Sequence, residues 1–159
     1  MEVLDGSAFE QAVGHLTDRD PHLAAAVARH GPPGFWTRPP GFATLILFVL
    51  EQQVSLASAR ATFDRLAARV GEVTPDSILQ SSDAELRADG FSRQKSHYAT
   101  QLAGAVTLGS LDLDGLAGLS DESARRHLVA QTGVGPWTAD VYLLSCLRRP
   151  DIWPVGDRA

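Results

Sequence analysis

The feature that most constrains this chain is a Gly-Val-Gly-Pro turn at residues 133–136, between two stretches of helical character. Glycine permits positive φ angles and lets another backbone come close. Pro136 suits the first turn of a helix, because the N–H that proline lacks has no intrahelical partner there. The sequence therefore predicts a tight helical hairpin with several free N–H groups, an arrangement that binds anions such as phosphate. The alternative is an ordinary glycine turn between packed helices, since short glycine patterns also arise by chance.

The rest of the chain also has helical patterns, and no stretch alternates apolar and polar residues long enough to predict a strand. Residues 42–53 are apolar nearly all round, which indicates a central helix packed on several sides. Residues 56–70 repeat apolar side chains at spacings of three and four, and Gly71 follows as a stop. We predict an all-α fold, a compact orthogonal bundle of short helices that forms one domain over residues 1–159.

Composition limits the classes of site that the chain can hold. Its single cysteine, Cys146, excludes an internal disulfide, a cysteine-rich zinc site and an iron–sulfur cluster on four thiolates. The N-terminus has no basic start and no apolar signal region, and no apolar run is long enough for a bilayer, so we expect a cytoplasmic protein without a membrane partner. The net charge of −5 is unusual for a nucleic-acid binder and implies contact with few phosphates, some through backbone amides.

A second pattern lies downstream of the turn, where Asp157 follows Trp137 by 20 positions within the loop Asp151-Ile152-Trp153-Pro154-Val155-Gly156-Asp157. Together with the turn, this spacing resembles the helix-hairpin-helix (HhH-GPD) DNA glycosylase superfamily. The family pairs a Gly-φ-Gly hairpin with a catalytic aspartate about twenty residues later. Residues 42–55 and 86–98 are similar to that family's central helix and its Leu-x₃-Gly-φ-x₃-Lys segment. The resemblance covers about residues 42–159.

The resemblance implies a DNA-associated enzyme that acts as a monomer on double-stranded DNA containing damaged bases. Family members that also cut the strand carry a nucleophilic lysine at the position of Trp137. Tryptophan there, as in the AlkA-like 3-methyladenine glycosylases, implies simple hydrolysis of the base–sugar bond. Bases alkylated on a ring nitrogen are cationic, and an aromatic face attracts a cation by ~0.5–2 kcal/mol. Trp153 and Tyr142 are further base-pocket candidates, although core packing is the stronger alternative for each.

Asp157 is the candidate catalytic residue. Breaking a glycosidic bond builds positive charge on the sugar, and a nearby carboxylate stabilises that charge and can orient the attacking water. For a lone aspartate after glycine, a turn or helix cap is the alternative, and the spacing to Trp137 favours catalysis. The chain stops two residues later, whereas family members continue with further helices, so we expect a C-terminally truncated chain.

The resemblance also implies the contacts to DNA and to a cation. A side chain from the turn after the central helix fills the gap that a flipped base leaves, and the matching position is Gln53, which a surface location would explain equally well. The hairpin residues expected at the DNA are Gly133, Val134, Gly135, Trp137 and Thr138. Family hairpins hold a monovalent cation on backbone carbonyls, here those of Val129, Gln131 and Gly133. No other cofactor is implied.

Two other functions fit parts of the sequence. A non-catalytic helix-hairpin-helix DNA-binding module needs only the hairpin and leaves Asp157 incidental. A helical protein-interaction domain explains the negative charge best but leaves the hairpin unexplained. The spacing between Trp137 and Asp157 favours the glycosylase.

Overall fold

The computed structural model describes residues 3–155, and every regular element in that part of the chain is helical. The all-α prediction is therefore confirmed. The helices, in chain order, are α1 (Gly6–Arg19), α2 (Pro21–His30), α3 (Phe42–Glu51), α4 (Leu56–Val70), α5 (Pro75–Leu79), α6 (Asp83–Asp89), α7 (Arg93–Thr107), α8 (Asp121–Val129) and α9 (Pro136–Ser145), with a 3₁₀ turn at Gly115–Gly118 that the sequence analysis did not predict.

Short-range capping contacts define most helix starts. The Ser82 hydroxyl accepts a hydrogen bond from the Glu85 N–H, and the Glu85 carboxylate accepts one from the Ser82 N–H, which completes a capping box at α6. At α7 the Ser92 hydroxyl accepts a hydrogen bond from the Lys95 N–H. Pro136 occupies the first turn of α9. The Pro136 start agrees with the predicted one, and both serine caps are local because a cap and its partner lie only three residues apart.

The central helix is α3. None of its ten residues is exposed, and six of them are buried. It contacts α4, α7 and α9, so helices from both halves of the chain pack around it. In α4 the expected apolar stripe is buried at Ala59 and Leu66, but Leu56 in the first turn is exposed. By contrast, α1 and α2 contact each other and bury no residue.

Helices α8 and α9 form the predicted hairpin, and an ion pair joins them. The Arg125 guanidinium donates to the Asp140 carboxylate through Nε at 2.6 Å and through Nη2 at 3.1 Å. Asp140 is almost completely buried on α9, and Arg125 on α8 is partly exposed. The pair raises the pKa of Arg125, mainly through the hydrogen bond. No helix in the described part of the chain is long and apolar enough to cross a membrane.

Candidate functional site

A cleft of about 960 Å³ lies between the hairpin and the turn that follows α3. It is lined by Glu51, Gln52, Gln53, Val54, Ser55, Tyr98, Gly133, Val134, Gly135, Trp137 and Thr138. All six residues expected at the DNA, Gln53 and the five of the hairpin, are in this set. The structure thus brings together two segments that are about eighty positions apart in the sequence.

The turn of the hairpin requires glycine at Gly133. Its φ is +88°, which L side chains rarely adopt, and a Cβ there would lie 2.4 Å from Tyr98 Cγ. Gly135 has φ −83° and no heavy atom within 4 Å of an added Cβ, so its backbone is open. No side chain in the described part of the chain caps the start of α9. The first N–H groups of α9 therefore lie at an open, partly positive helix end.

Gln52 connects the two walls of the cleft. Its Nε2 donates to the Gly133 carbonyl oxygen at 2.9 Å and to Thr138 Oγ1 at 3.0 Å. The amide therefore spans from the end of α3 to both sides of the hairpin turn. No sequence pattern assigns a role to Gln52 or to Tyr98. Both belong to segments that carry the family resemblance, but only the folded chain shows that they contact the hairpin.

Lys95 also holds the end of α3. Its Nζ donates to the Leu50 carbonyl at 2.6 Å and to the Gln52 carbonyl at 2.8 Å. Helix C-termini leave carbonyls without intrahelical partners, and a cation there also complements the helix dipole. Burial lowers the pKa of Lys95. Lys95 is the only lysine among the 159 residues.

Trp137 contributes an aromatic surface to the cleft. The residue is partly exposed and packs against the core, but its Nε1 is buried without a hydrogen-bond partner among residues 3–155. The part of the indole that is exposed is therefore carbon surface. Tyr98 lines the same cleft, and its hydroxyl accepts a hydrogen bond from Gln94 on α7.

Tyr142 is placed in the core, which corrects its assignment as a base-pocket candidate. It is 0% exposed, does not line the cleft and lies edge-on to Phe48. Its hydroxyl oxygen accepts a hydrogen bond from the Gly41 N–H, and burial raises the pKa of Tyr142 to about 12. Because α9 buries residues on several sides, helical spacing alone does not predict which of its aromatic residues lines the cleft.

The other aromatic candidate and the catalytic candidate lie near the end of the chain. Trp153 is 83% exposed and is not among the residues that line the cleft. The base-pocket assignment of Trp153 therefore has no support from its position. Asp157 lies outside the described residues, and its catalytic role stays a prediction.

Gln53 occupies a strained position at the mouth of the cleft. It is exposed and has φ +59°, a left-handed conformation that costs a non-glycine residue ~1–2 kcal/mol. The turn places it directly after Gln52, whose side chain points to the hairpin. Gln53 is thus an exposed, strained residue that follows an anchored one, and other contacts must compensate its cost.

Of the carbonyls expected to hold a cation, that of Val129 lies at the end of α8, and those of Gln131 and Gly133 lie in the hairpin turn. The Gly133 oxygen accepts from Gln52 Nε2, and the Gln131 oxygen accepts from the Val134 N–H at 3.1 Å. Each carbonyl has two lone pairs, so these bonds leave one acceptor position on each. Among residues 3–155, no group of three or more His, Cys, Asp or Glu side chains is arranged to hold a metal ion.

The acidic residue of the cleft is neutralised. Arg38 Nη1 lies 2.8 Å from Glu51 Oε1, and both side chains are largely buried. The Arg38 guanidinium also packs over the Phe48 ring at 4.8 Å. The pairing removes a negative charge that would repel an anionic ligand near the hairpin.

Comparison with known proteins identifies the same region. Residues 46–159 match the family described as HhH-GPD superfamily base excision DNA repair protein. This match begins within α3, covers the cleft and the hairpin, and leaves out α1 and α2.

Individual relatives are similar over most of this chain. DNA-3-methyladenine glycosylase of Saccharomyces cerevisiae is 28% identical over an alignment of 166 positions, which covers 94% of this chain and 56% of the relative. Endonuclease III of Sulfolobus acidocaldarius is 35% identical over an alignment of 112 positions, which covers 67% of this chain and 48% of the relative. The chain thus spans about half the length of these curated relatives. The structure of the Schizosaccharomyces pombe 3-methyladenine DNA glycosylase Mag1 in complex with abasic DNA superimposes with a TM-score of 0.83 at 28% identity, over 92% of this chain and 75% of that one.

Proposed function

The chain belongs to the HhH-GPD superfamily of base excision DNA repair proteins, and from that premise we propose that it is a DNA glycosylase that removes alkylated bases by hydrolysis and leaves the strand uncut. The observation that carries the proposal is the cleft between the hairpin and the α3 turn, with Trp137 in its wall. A flipped base needs a pocket next to the groups that grip the backbone, and this cleft adjoins the open start of α9.

The aromatic wall suits a cationic base. The indole of Trp137 contributes carbon surface to the cleft, and Tyr98 lies on the same cleft. A base alkylated on a ring nitrogen carries positive charge, which an aromatic face attracts. Such a base is already a good leaving group, so the enzyme needs little general-acid assistance. Relatives named as DNA-3-methyladenine glycosylases fit this substrate class.

The lysine content of the chain favours hydrolysis over strand cleavage. A glycosylase that also cuts the strand uses an amine to form a Schiff base with the sugar. Trp137 occupies the hairpin position where such a lysine would stand, and the single lysine, Lys95, donates to two backbone carbonyls. A lysine held in this way is not presented to a sugar in the cleft.

Asp157 is the residue that we propose to stabilise the sugar cation and to orient the attacking water. It lies outside the described residues, so the support for this role is the spacing from Trp137 and the family that the chain belongs to.

The proposed partner is double-stranded DNA, held at the phosphates by the N–H groups of the hairpin. A monovalent cation on the carbonyls of Val129, Gln131 and Gly133 would complete that contact. We further propose that the protein works as a monomer in the cytoplasm.

The test of the activity uses DNA methylated with radioactive dimethyl sulfate. We expect release of free methylated purines, and we expect strand breaks in an end-labelled duplex only after alkali treatment. Strand breaks before alkali, or a covalent adduct trapped by borohydride, would contradict hydrolysis. Binding to duplex DNA without base release would favour the DNA-binding module instead.

The test of the catalytic residue is Asp157→Asn, which keeps the size of the side chain and removes its charge. Loss of one preorganised electrostatic contact costs ~10²–10³ in rate. Binding of the lesion should persist, because the charge matters most once the bond begins to break. A variant that retained most of the wild-type single-turnover rate would assign Asp157 a structural role.

A further inference from the structure

The turn that carries Gln53 has few backbone contacts of its own. At the end of α3 the Val54 N–H reaches the Glu51 carbonyl only at 3.5 Å, the outer limit of a hydrogen bond. Gln53 itself is in the left-handed region, which is unfavourable for glutamine. Side chains from elsewhere must therefore hold this turn in place.

The side chains of Lys95 and Gln52 supply those contacts. Lys95 donates to the Gln52 carbonyl and to the carbonyl of Leu50, two residues earlier. The Gln52 side chain donates in turn to Gly133 and Thr138 of the hairpin. The chain of contacts runs from α7 through the end of α3 to the hairpin, with Gln53 exposed beside it.

Helix α7, which carries Lys95, is itself fixed by several contacts. Ser92 caps its start, and Ser96 donates to the Asp83 carboxylate of α6 at 2.6 Å. Tyr98, one turn after Lys95 on α7, packs directly on Gly133. Helix α7 therefore contacts both walls of the cleft, the α3 turn through Lys95 and the hairpin through Tyr98.

We propose that Lys95 is a positioning residue for base extrusion, whose ammonium holds the α3 turn so that Gln53 faces the DNA at a fixed distance from the hairpin. The inference rests on the proposed function and deepens it. The ammonium is required because both partners are carbonyl oxygens, which only a donor can satisfy. An apolar side chain of equal length would leave two partly buried acceptors unpaired.

The consequence concerns one step of the reaction. The hairpin grips the strand through its own backbone, so binding of an undamaged duplex does not depend on Lys95. Extrusion of a base requires the turn and the hairpin at a defined separation, and small misplacements of positioning groups lower rates by up to ~10²-fold. Loss of the ammonium should therefore weaken extrusion and base release but leave the affinity for undamaged DNA unchanged.

The experiment compares Lys95→Met, Lys95→Arg and the matched control Arg93→Met. Arg93 is exposed on the same helix, so its loss removes an equal charge without touching the turn. The readouts are affinity for an undamaged duplex, fluorescence of 2-aminopurine placed beside a lesion, and single-turnover base release. We expect Lys95→Met to keep duplex affinity within about 3-fold and to lower extrusion and release by about 10-fold to 100-fold. Lys95→Arg, which restores donors, should recover much of this loss, and Arg93→Met should match the wild type.

The outcomes separate this inference from the proposed function. A wild-type protein that extrudes and releases bases, with Lys95→Met equal to it, would overturn the inference alone. An equal loss in Arg93→Met would also overturn it, because general charge would then explain the effect. A wild type without extrusion or release would overturn the proposed function and the inference together.

A second measurement needs no variant and covers the case in which Lys95→Met does not fold. Selective ¹⁵N labelling of lysine yields one side-chain signal, because the sequence has one lysine. An ammonium bonded to two carbonyls exchanges its protons slowly enough to be observed at low temperature. An ammonium with the rapid exchange of a free, solvated lysine would overturn the proposed anchoring.

Discussion

Gly133 is the position where the cost of replacing glycine can be worked out from the structure. Its φ is +88°, and a Cβ added there would lie 2.4 Å from Tyr98 Cγ and 2.7 Å from both Tyr98 Cβ and Cδ2. Carbon atoms in favourable contact are ~3.5–4.0 Å apart. The neighbouring atoms are the root and the ring of a side chain on a packed helix, so they cannot move aside as the tip of a flexible side chain would.

Two costs add in Gly133→Ala. The left-handed backbone costs a residue with a Cβ ~1–2 kcal/mol. Overpacking of a well-filled site costs a further ~1–3 kcal/mol. We therefore expect the free energy of unfolding to fall by about 2–5 kcal/mol, a large part of the ~5–15 kcal/mol that holds a domain of this kind together.

The assay is urea unfolding followed by circular dichroism, with Gly135→Ala as the matched control. Gly135 has φ −83° and no atom within 4 Å of an added Cβ. An alanine there loses some preference at the helix cap and restricts the unfolded chain, two small effects of opposite sign, so we expect a change within ~0.5 kcal/mol.

A double-mutant cycle separates the two costs at Gly133. In the background of Tyr98→Ala the ring is gone, so Gly133→Ala should cost only the ~1–2 kcal/mol of the backbone conformation. A loss of less than about 0.5 kcal/mol for Gly133→Ala in the wild-type background would refute the reasoning. So would an equal loss with and without the Tyr98 ring, since the contact would then contribute nothing.

Two further predictions concern buried polar groups in the hairpin and directly after it. Arg125→Ala should lower the free energy of unfolding by about 1–3 kcal/mol, because it leaves the Asp140 carboxylate buried without its partner and the partial exposure of Arg125 reduces the full cost of a buried pair. The control Arg126→Ala removes an exposed pair with Glu122 and should change the free energy of unfolding by less than ~0.5 kcal/mol. Equal losses for the two variants in urea titrations would contradict this distinction. Burial raises the pKa of the Cys146 thiol from 9.0 to about 11, so the thiol loses its proton at lower pH in the unfolded chain than in the folded one. The stability that the neutral thiol contributes is therefore complete below pH 9 and is lost as the pH rises to 11. The difference in unfolding free energy between the wild type and Cys146→Ser should shrink over that range at up to ~1.4 kcal/mol per pH unit, and a constant difference would contradict the shift.

Local features of the fold could be predicted from the sequence alone. The capping serines lie three residues from their partners, as with Ser82 and Glu85, so the information for each helix start is contained in a few consecutive residues. The hairpin was predicted for the same reason, because glycine and proline restrict their own backbone. The buried central helix followed from an apolar segment that leaves no polar face to expose.

The arrangement of the site was decided by the tertiary structure. Gln52 bonds to Gly133 across 81 positions, and Lys95 bonds to Leu50 across 45. No local pattern contains such a pair, because each partner acquires its role only when α3, α7 and α9 pack together. Tyr142 and Trp137 illustrate the same limit: both are aromatic residues of α9, yet packing against Phe48 buries the first, and an open turn leaves part of the second in the cleft. The sequence determined which elements form and which family they belong to, and the long-range packing determined which side chains meet.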